Sequence, residues 1–87
     1  MSNAQSFTSM STSDLALILF SSRLQASDHP SAEQVRMAID ARLCDCGEDR
    51  SVCAALVAQE AGDHPDTYAA RMRWALSTVS QVYAAAA

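Results

Sequence analysis

The chain has 87 residues, a net charge of −4, and six Arg but no Lys. This length suits one small domain. The negative charge argues against nucleic-acid and anionic-membrane surfaces, which need clustered positive charge. Two Gly, two Pro and few β-branched residues predict an all-α fold. Abundant Ala and Arg without Lys are typical of a GC-rich bacterial genome.

The N-terminal residues are polar and rich in Ser, without the basic and apolar regions of a secretory signal. We therefore expect a cytoplasmic protein with a disordered segment over residues 1–12 and a single helical domain over residues 13–87. Residues 2–4 resemble the remnant of a cleaved expression tag. The longest apolar run is far shorter than the ~20 residues that span a bilayer, so no membrane segment is predicted.

The most apolar stretch of the chain covers residues 15–20 and predicts the first helix, over residues 14–26. Residues 11–14 offer an N-cap hydroxyl and an acid for the first turn, which favours a helix over a strand. Apolar side chains surround this helix on all sides. Such a helix is buried, so we expect it to pack within a larger core or against a second copy of the chain.

Three further helices are predicted, over about residues 30–44, 49–61 and 65–83. Ser31 and Gln34 have the spacing of a capping box, and Asp49 is the predicted N-cap of the third helix. Gly47 and Gly62 are the predicted stops of the second and third helices. The complete pattern predicts a small up-down four-helix bundle made of two helical hairpins.

The third helix has a predicted apolar face composed of Val52, Cys53, Leu56 and Val57. The fourth helix has an apolar seam, but Trp74 lies opposite that seam. Trp74 therefore either packs between neighbouring helices or anchors an interface, where Trp is enriched.

The candidate contact residues are aromatic: Trp74, Tyr83 and Phe20. Arg71 and Arg73 beside Trp74 are interpreted as surface or interface charges within reach of Asp63 and Asp66. We expect a homodimer formed through the first helix, the fourth helix or both, and a further protein partner is compatible with the same surface.

Cys44, Cys46 and Cys53 form a cluster at the turn between the second and third helices. Three ligand-type residues at this spacing are candidates for a metal or redox site, although the spacing matches no common zinc pattern. The simpler interpretation is a set of small thiols, with a disulfide between Cys53 and one of the other two in oxidising conditions.

The tripeptide Asp-His-Pro occurs at positions 28–30 and 63–65. In an up-down bundle His29 and His64 lie at the same end, where they are candidates for a divalent-metal or pH-sensitive site. The simpler interpretation is helix capping by Asp28 and Asp63. The sequence leaves open whether the repeated tripeptide reflects a duplication or shared capping chemistry.

Motifs for nucleophilic catalysis and phosphate binding are absent from the sequence. We therefore expect no enzymatic activity and no cofactor. The leading hypothesis is a non-enzymatic interaction or regulatory module of a bacterial cytoplasm that self-associates. The alternative is a small metal-binding or thiol redox sensor that uses Cys44, Cys46 and Cys53.

Overall fold

The computed structural model describes residues 10–84, which form four α-helices and no strand. The helices are α1 (Thr12–Phe20), α2 (Ala32–Asp45), α3 (Arg50–Asp63) and α4 (Pro65–Ala84). A single 3-10 turn, Ala26–Asp28, precedes α2. The all-α prediction with four helices is confirmed. The disordered segment was predicted over residues 1–12, and its residues 1–9 lie outside the described range.

Helix α1 begins with a capping box that its own sequence supplies. The Asp14 amide donates to the Ser11 hydroxyl at 3.1 Å, and the Ser11 amide donates to the Asp14 carboxylate at 3.2 Å. These two bonds satisfy amides that have no partner within the helix. Thr12 is the first helical residue, so the helical part of the chain starts within the segment that was predicted to be disordered.

Helix α1 ends at Phe20, six residues before the predicted end at Ala26. The hydroxyls of Ser21 and Ser22 donate to carbonyls of the preceding turn, at 2.8 and 2.6 Å. Ser side chains that bond to nearby carbonyls compete with continuation of the helix. The chain therefore leaves α1 at this pair of serines.

Helix α2 has the predicted capping box, but it begins at Ala32 rather than at Pro30, and it ends at Asp45, one residue past the predicted end. The Gln34 amide donates to the Ser31 hydroxyl at 3.2 Å, and the Ser31 amide donates to the Gln34 side-chain oxygen at 2.8 Å. Past its end, Gly47 has φ 73°, a left-handed conformation that Gly adopts without steric cost.

Helix α3 begins as predicted but continues beyond its predicted end. The Asp49 carboxylate accepts a bond from the Ser51 amide at 3.0 Å and caps the helix. The predicted stop at Gly62 is wrong, because α3 continues to Asp63 and breaks at His64, with φ −137° and ψ 68°. A residue before Pro is sterically excluded from the helical region, so Pro65 determines where α3 ends and α4 begins.

Helix α1 is the centre of the fold. It packs against α2, α3 and α4, most extensively against α4, whereas α2 and α3 have little direct contact with each other. Its apolar circumference is largely covered by these three helices, as expected for a buried helix. The buried residues form one core: Ala16, Ile18, Leu19, Phe20, Val35, Ile39, Leu43, Cys46, Cys53, Val57, Ala75 and Val79.

The predicted apolar face of α3 is only half correct. Cys53 and Val57 are buried, but Val52 and Leu56 remain 46% and 44% exposed. Val52 and Leu56 are four residues apart, so they share one side of α3. Among the described residues, no helix is both long and apolar enough to cross a membrane.

Candidate functional site

An open groove with a volume of about 430 Å³ lies between α2 and α3. It exists because both helices pack on α1 while scarcely contacting each other. Phe20 and Ser21, at the end of α1, and Arg71 of α4 form its floor. We call this feature the α2–α3 groove. Helix α2 contributes Arg42 to one wall, and α3 contributes the opposite wall: Leu56, Val57, Gln59, Glu60 and Asp63.

The two walls of the α2–α3 groove carry opposite charges. On the α2 wall, the Arg42 Nε donates to the Ser21 hydroxyl at 3.3 Å, and its guanidinium lies 4.0 Å from the exposed Asp45 carboxylate. On the α3 wall, Glu60 and Asp63 are exposed, and neither forms an ion pair with another described residue. Both acids are therefore available for contact outside the chain.

Arg71 organises the floor of the groove. Its guanidinium donates three hydrogen bonds to backbone carbonyls, those of Phe20 at 3.0 Å, Ser22 at 3.0 Å and Leu24 at 2.8 Å. The group also stacks between two aromatic rings, 5.3 Å from the Phe20 centroid and 5.0 Å from the Trp74 centroid. Carbonyls at a helix C-terminus lack partners and attract cations.

Arg71 therefore bonds to main-chain carbonyls, not to Asp63 or Asp66, the acids expected within its reach. Partial burial lowers the pKa of Arg71 from its ordinary value, because desolvation disfavours the charged form. Its hydrogen bonds all run to main-chain oxygens that follow or end α1. Arg71 is thus a positioning residue for the groove floor.

Two of the three aromatic contact candidates pack partly inside the chain, and the third is buried. Phe20 is only 6% exposed, with its ring centroid 5.5 Å from that of Tyr68. Trp74 is half-buried and lines another open cavity beside His29 and Pro30. Phe20 therefore leaves little surface for a partner, whereas Trp74 retains an accessible edge.

Tyr83, the third candidate, is half-buried near α2. Desolvation raises the pKa of Tyr83, the nearby Asp40 carboxylate raises it further, and Arg36 opposes the change. The phenol therefore lies close to the charged side of α2. Of the three aromatic residues, Phe20 lines the α2–α3 groove, and Trp74 and Tyr83 do not.

The structure pairs two of the three cysteines. Cys46 and Cys53 form a disulfide with a Cα–Cα distance of 5.9 Å, and Cys44 is exposed. Over residues 10–84, no group of three His, Cys, Asp or Glu residues is placed to hold a metal ion. The Cys46–Cys53 disulfide thus joins the end of α2 to the first turn of α3.

The two Asp-His-Pro segments have different backbone conformations. His29 follows the 3-10 turn in a left-handed conformation with φ 48°, and the Asp28 carboxylate accepts a bond from the Gln25 amide at 2.9 Å. His64 instead breaks a nearly continuous helix between Asp63 and Pro65. Asp28 therefore caps a local turn, whereas Asp63 is the last residue of α3.

The groove and its exposed apolar residues are the features that sequence analysis missed. The available signal was the width of the apolar face of α3, which is broader than one neighbouring helix covers. It indicates that one edge of the face stays open, but not which edge. The chain matches no protein-family model, no curated protein and no solved structure.

Proposed function

We propose that the protein is a non-enzymatic interaction module of a bacterial cytoplasm that forms a homodimer through the α2–α3 groove. One observation carries this proposal: the exposed Leu56 lines a concave surface, and the exposed Val52 lies one turn before it on α3. Contiguous exposed apolar surface next to a groove is typical of protein contact sites. Covering it removes apolar surface from water, which favours association.

The charges on the two walls support a second copy of the chain as the partner. In a two-fold dimer the same patch is used twice, so it must be self-complementary. A two-fold axis near Leu56 brings Arg42 of one copy towards Glu60 and Asp63 of the other, and the reverse contact follows by symmetry. The two Leu56 side chains then meet at the centre, where contact residues contribute most.

The small core also favours self-association. A short chain buries a smaller fraction of its surface than a large one, and oligomerisation is a common way to add buried area. Trp74 and Tyr83 stay predicted contact residues for a further protein partner. Both pack partly within their own chain, so the groove is the first surface to test.

The test is native mass spectrometry of Leu56→Asp and of Met37→Asp as its matched control. Met37, 61% exposed on α2, is not among the groove-lining residues. Both variants are made in a Cys44→Ser background, because the exposed Cys44 thiol permits disulfides between copies. With the Cys46–Cys53 disulfide intact, we expect dimers for the background protein and Met37→Asp. We expect monomers for Leu56→Asp, with an unchanged helical circular dichroism spectrum. A monomeric background protein, or a Leu56→Asp dimer, contradicts the proposal.

A further inference from the structure

The disulfide between Cys46 and Cys53 is a direct link between two helices that otherwise have little contact. Cys46 is the C-cap of α2, and Cys53 lies in the first turn of α3. Arg42, on the α2 wall, is one turn before Cys46, and Leu56, on the α3 wall, is about one turn after Cys53. The link therefore lies at the end of the α2–α3 groove, where its walls converge.

We propose that the Cys46–Cys53 disulfide is a redox switch that controls the α2–α3 groove. The oxidised pair holds the first turns of α3 beside α2, and reduction by a dithiol releases them. This inference rests on the proposed function of the groove, because it regulates that same surface. The two walls of the groove are held at a fixed separation only in the oxidised protein.

Apart from the disulfide, the first turn of α3 is held by the burial of Cys53 in the core and by one ion pair to α1. Arg50 Nε lies 3.5 Å from the Asp14 carboxylate, and Arg50 is about half exposed. Exposed ion pairs of this kind contribute weakly and are screened by salt. The far end of α3 is more constrained, because it continues through His64 into α4. Release therefore acts on the turn that carries Val52 and on the adjoining Leu56.

The reaction is a thiol–disulfide exchange that conserves two electrons and two protons. A thiolate of the dithiol attacks Cys46 Sγ, because Cys46 keeps a small exposed area while Cys53 has none. The bond between the two protein sulfurs breaks, and Cys53 leaves as a thiolate that takes up a proton. The second thiol of the reductant then displaces Cys46, which is protonated in turn, and the reductant becomes a disulfide.

The proposed cytoplasmic location determines which redox form of the cysteine pair prevails in resting cells. Cytoplasmic reductants keep most protein thiols reduced, and disulfides there are usually transient or signalling bonds. The pair is thus reduced in resting cells and oxidised when a disulfide or peroxide oxidant accumulates. Dimerisation through the groove then responds to oxidation.

Hydrogen exchange measured by mass spectrometry on the Cys44→Ser protein tests the switch. The protein is compared in its oxidised form and after reduction with dithiothreitol. Cys46 and Cys53 are seven residues apart, and opening a loop of that size predicts ~10- to 100-fold faster exchange of the amides of residues 50–57. Exchange in α1 and α4 is expected to change far less. The variant Cys46→Ala/Cys53→Ala, which needs no reductant, should reproduce this pattern.

Two outcomes of the exchange experiment overturn the switch. One is unchanged exchange in α3 after confirmed reduction. The other is equal acceleration in all four helices, which makes the disulfide a general stabiliser rather than a local link.

Native mass spectrometry of the same samples separates the two proposals. We expect the dimer dissociation constant to rise at least ~10-fold on reduction, which corresponds to the loss of about 1.4 kcal/mol. An unchanged constant overturns the switch alone. An oxidised protein that is already monomeric overturns the groove dimer before any reductant is added.

Discussion

At the scale of single residues, Arg71 supplies hydrogen-bond donors for the carbonyl groups at and after the end of α1. Its guanidinium bonds to three carbonyls and lies between the rings of Phe20 and Trp74. Hydrogen bonds that involve a charged group contribute more than neutral ones, and a partly buried carbonyl left without a partner is costly. The stability of the groove floor therefore depends on a residue of a different helix.

Arg71→Ala is expected to lower the free energy of unfolding by ~2–4 kcal/mol. Arg71→Lys should recover only part of this loss, because an ammonium keeps the charge without the planar fork of donors. Urea denaturation measures both changes. Arg73→Ala is the matched control, since Arg73 is exposed two residues away on the same helix, and it should change stability by less than ~0.5 kcal/mol. Equal effects at the two positions would show that Arg71 has no special role.

At the scale of helices, α1 provides the surface on which the others assemble. Leu19 is completely buried, and the apolar residues around it come from all four helices. Truncating a buried Leu removes apolar area and leaves a cavity that the surroundings fill only in part. The loss of unfolding free energy on such a change measures how completely α1 is enclosed by its own chain.

Leu19→Ala should therefore destabilise the protein by ~2–5 kcal/mol. Leu76→Ala, which removes the same atoms from an exposed position on α4, should cost less than ~1 kcal/mol. Thermal or urea unfolding at several protein concentrations separates core stability from association. A Leu19→Ala midpoint close to that of Leu76→Ala is incompatible with an enclosed α1.

The starts of α2 and α3 were predictable because their signals are local. Ser31 with Gln34, and Asp49 with the amide of Ser51, lie within one turn of each other. The end of α1 at Ser21 and Ser22 was missed although its signal is local. The contact from Arg71, 51 residues away in sequence, was not predictable. The end of α3 was predicted too early. The weak helix propensity of Gly62 does not stop the helix, whereas the steric effect of Pro65 does.

The groove was beyond sequence analysis for a related reason. Helical periodicity predicts which residues share a face, but the positions of α1 and α4, which pack against α3, decide which edge of that face is covered. Cys53 and Val57 turn towards α1 and are buried, whereas Val52 and Leu56 lie on the edge away from it. Sequence spacing did identify Cys53 as a disulfide candidate, but left its partner open between Cys44 and Cys46.

At the scale of the whole molecule, the fold consists of a central helix with α2 and α3 held apart on its surface. This separation produces a groove with a cationic wall and an anionic wall. Such an arrangement leaves apolar side chains exposed in the isolated chain, and a second copy can cover them. In the proposed dimer, the groove therefore pairs with itself about a two-fold axis.

Charge reversal on opposite walls of the groove tests this pairing. One variant carries Arg42→Glu, and the other carries Glu60→Arg and Asp63→Arg, both in the Cys44→Ser background. Within either homodimer, like charges meet at both symmetry-related contacts and repel each other. In the mixed dimer, opposite charges meet at both contacts. Circular dichroism of each variant verifies that the helices persist.

The decisive measurement is native mass spectrometry of the equimolar mixture of these two variants at low ionic strength, where charge contacts are least screened. With the Cys46–Cys53 disulfide intact, we expect monomers for each variant alone and a heterodimer when they are mixed. Pairing of the groove with itself would be contradicted if homodimers of each variant were as abundant as those of the protein with unmodified walls, and if the mixture showed no excess of the heterodimer.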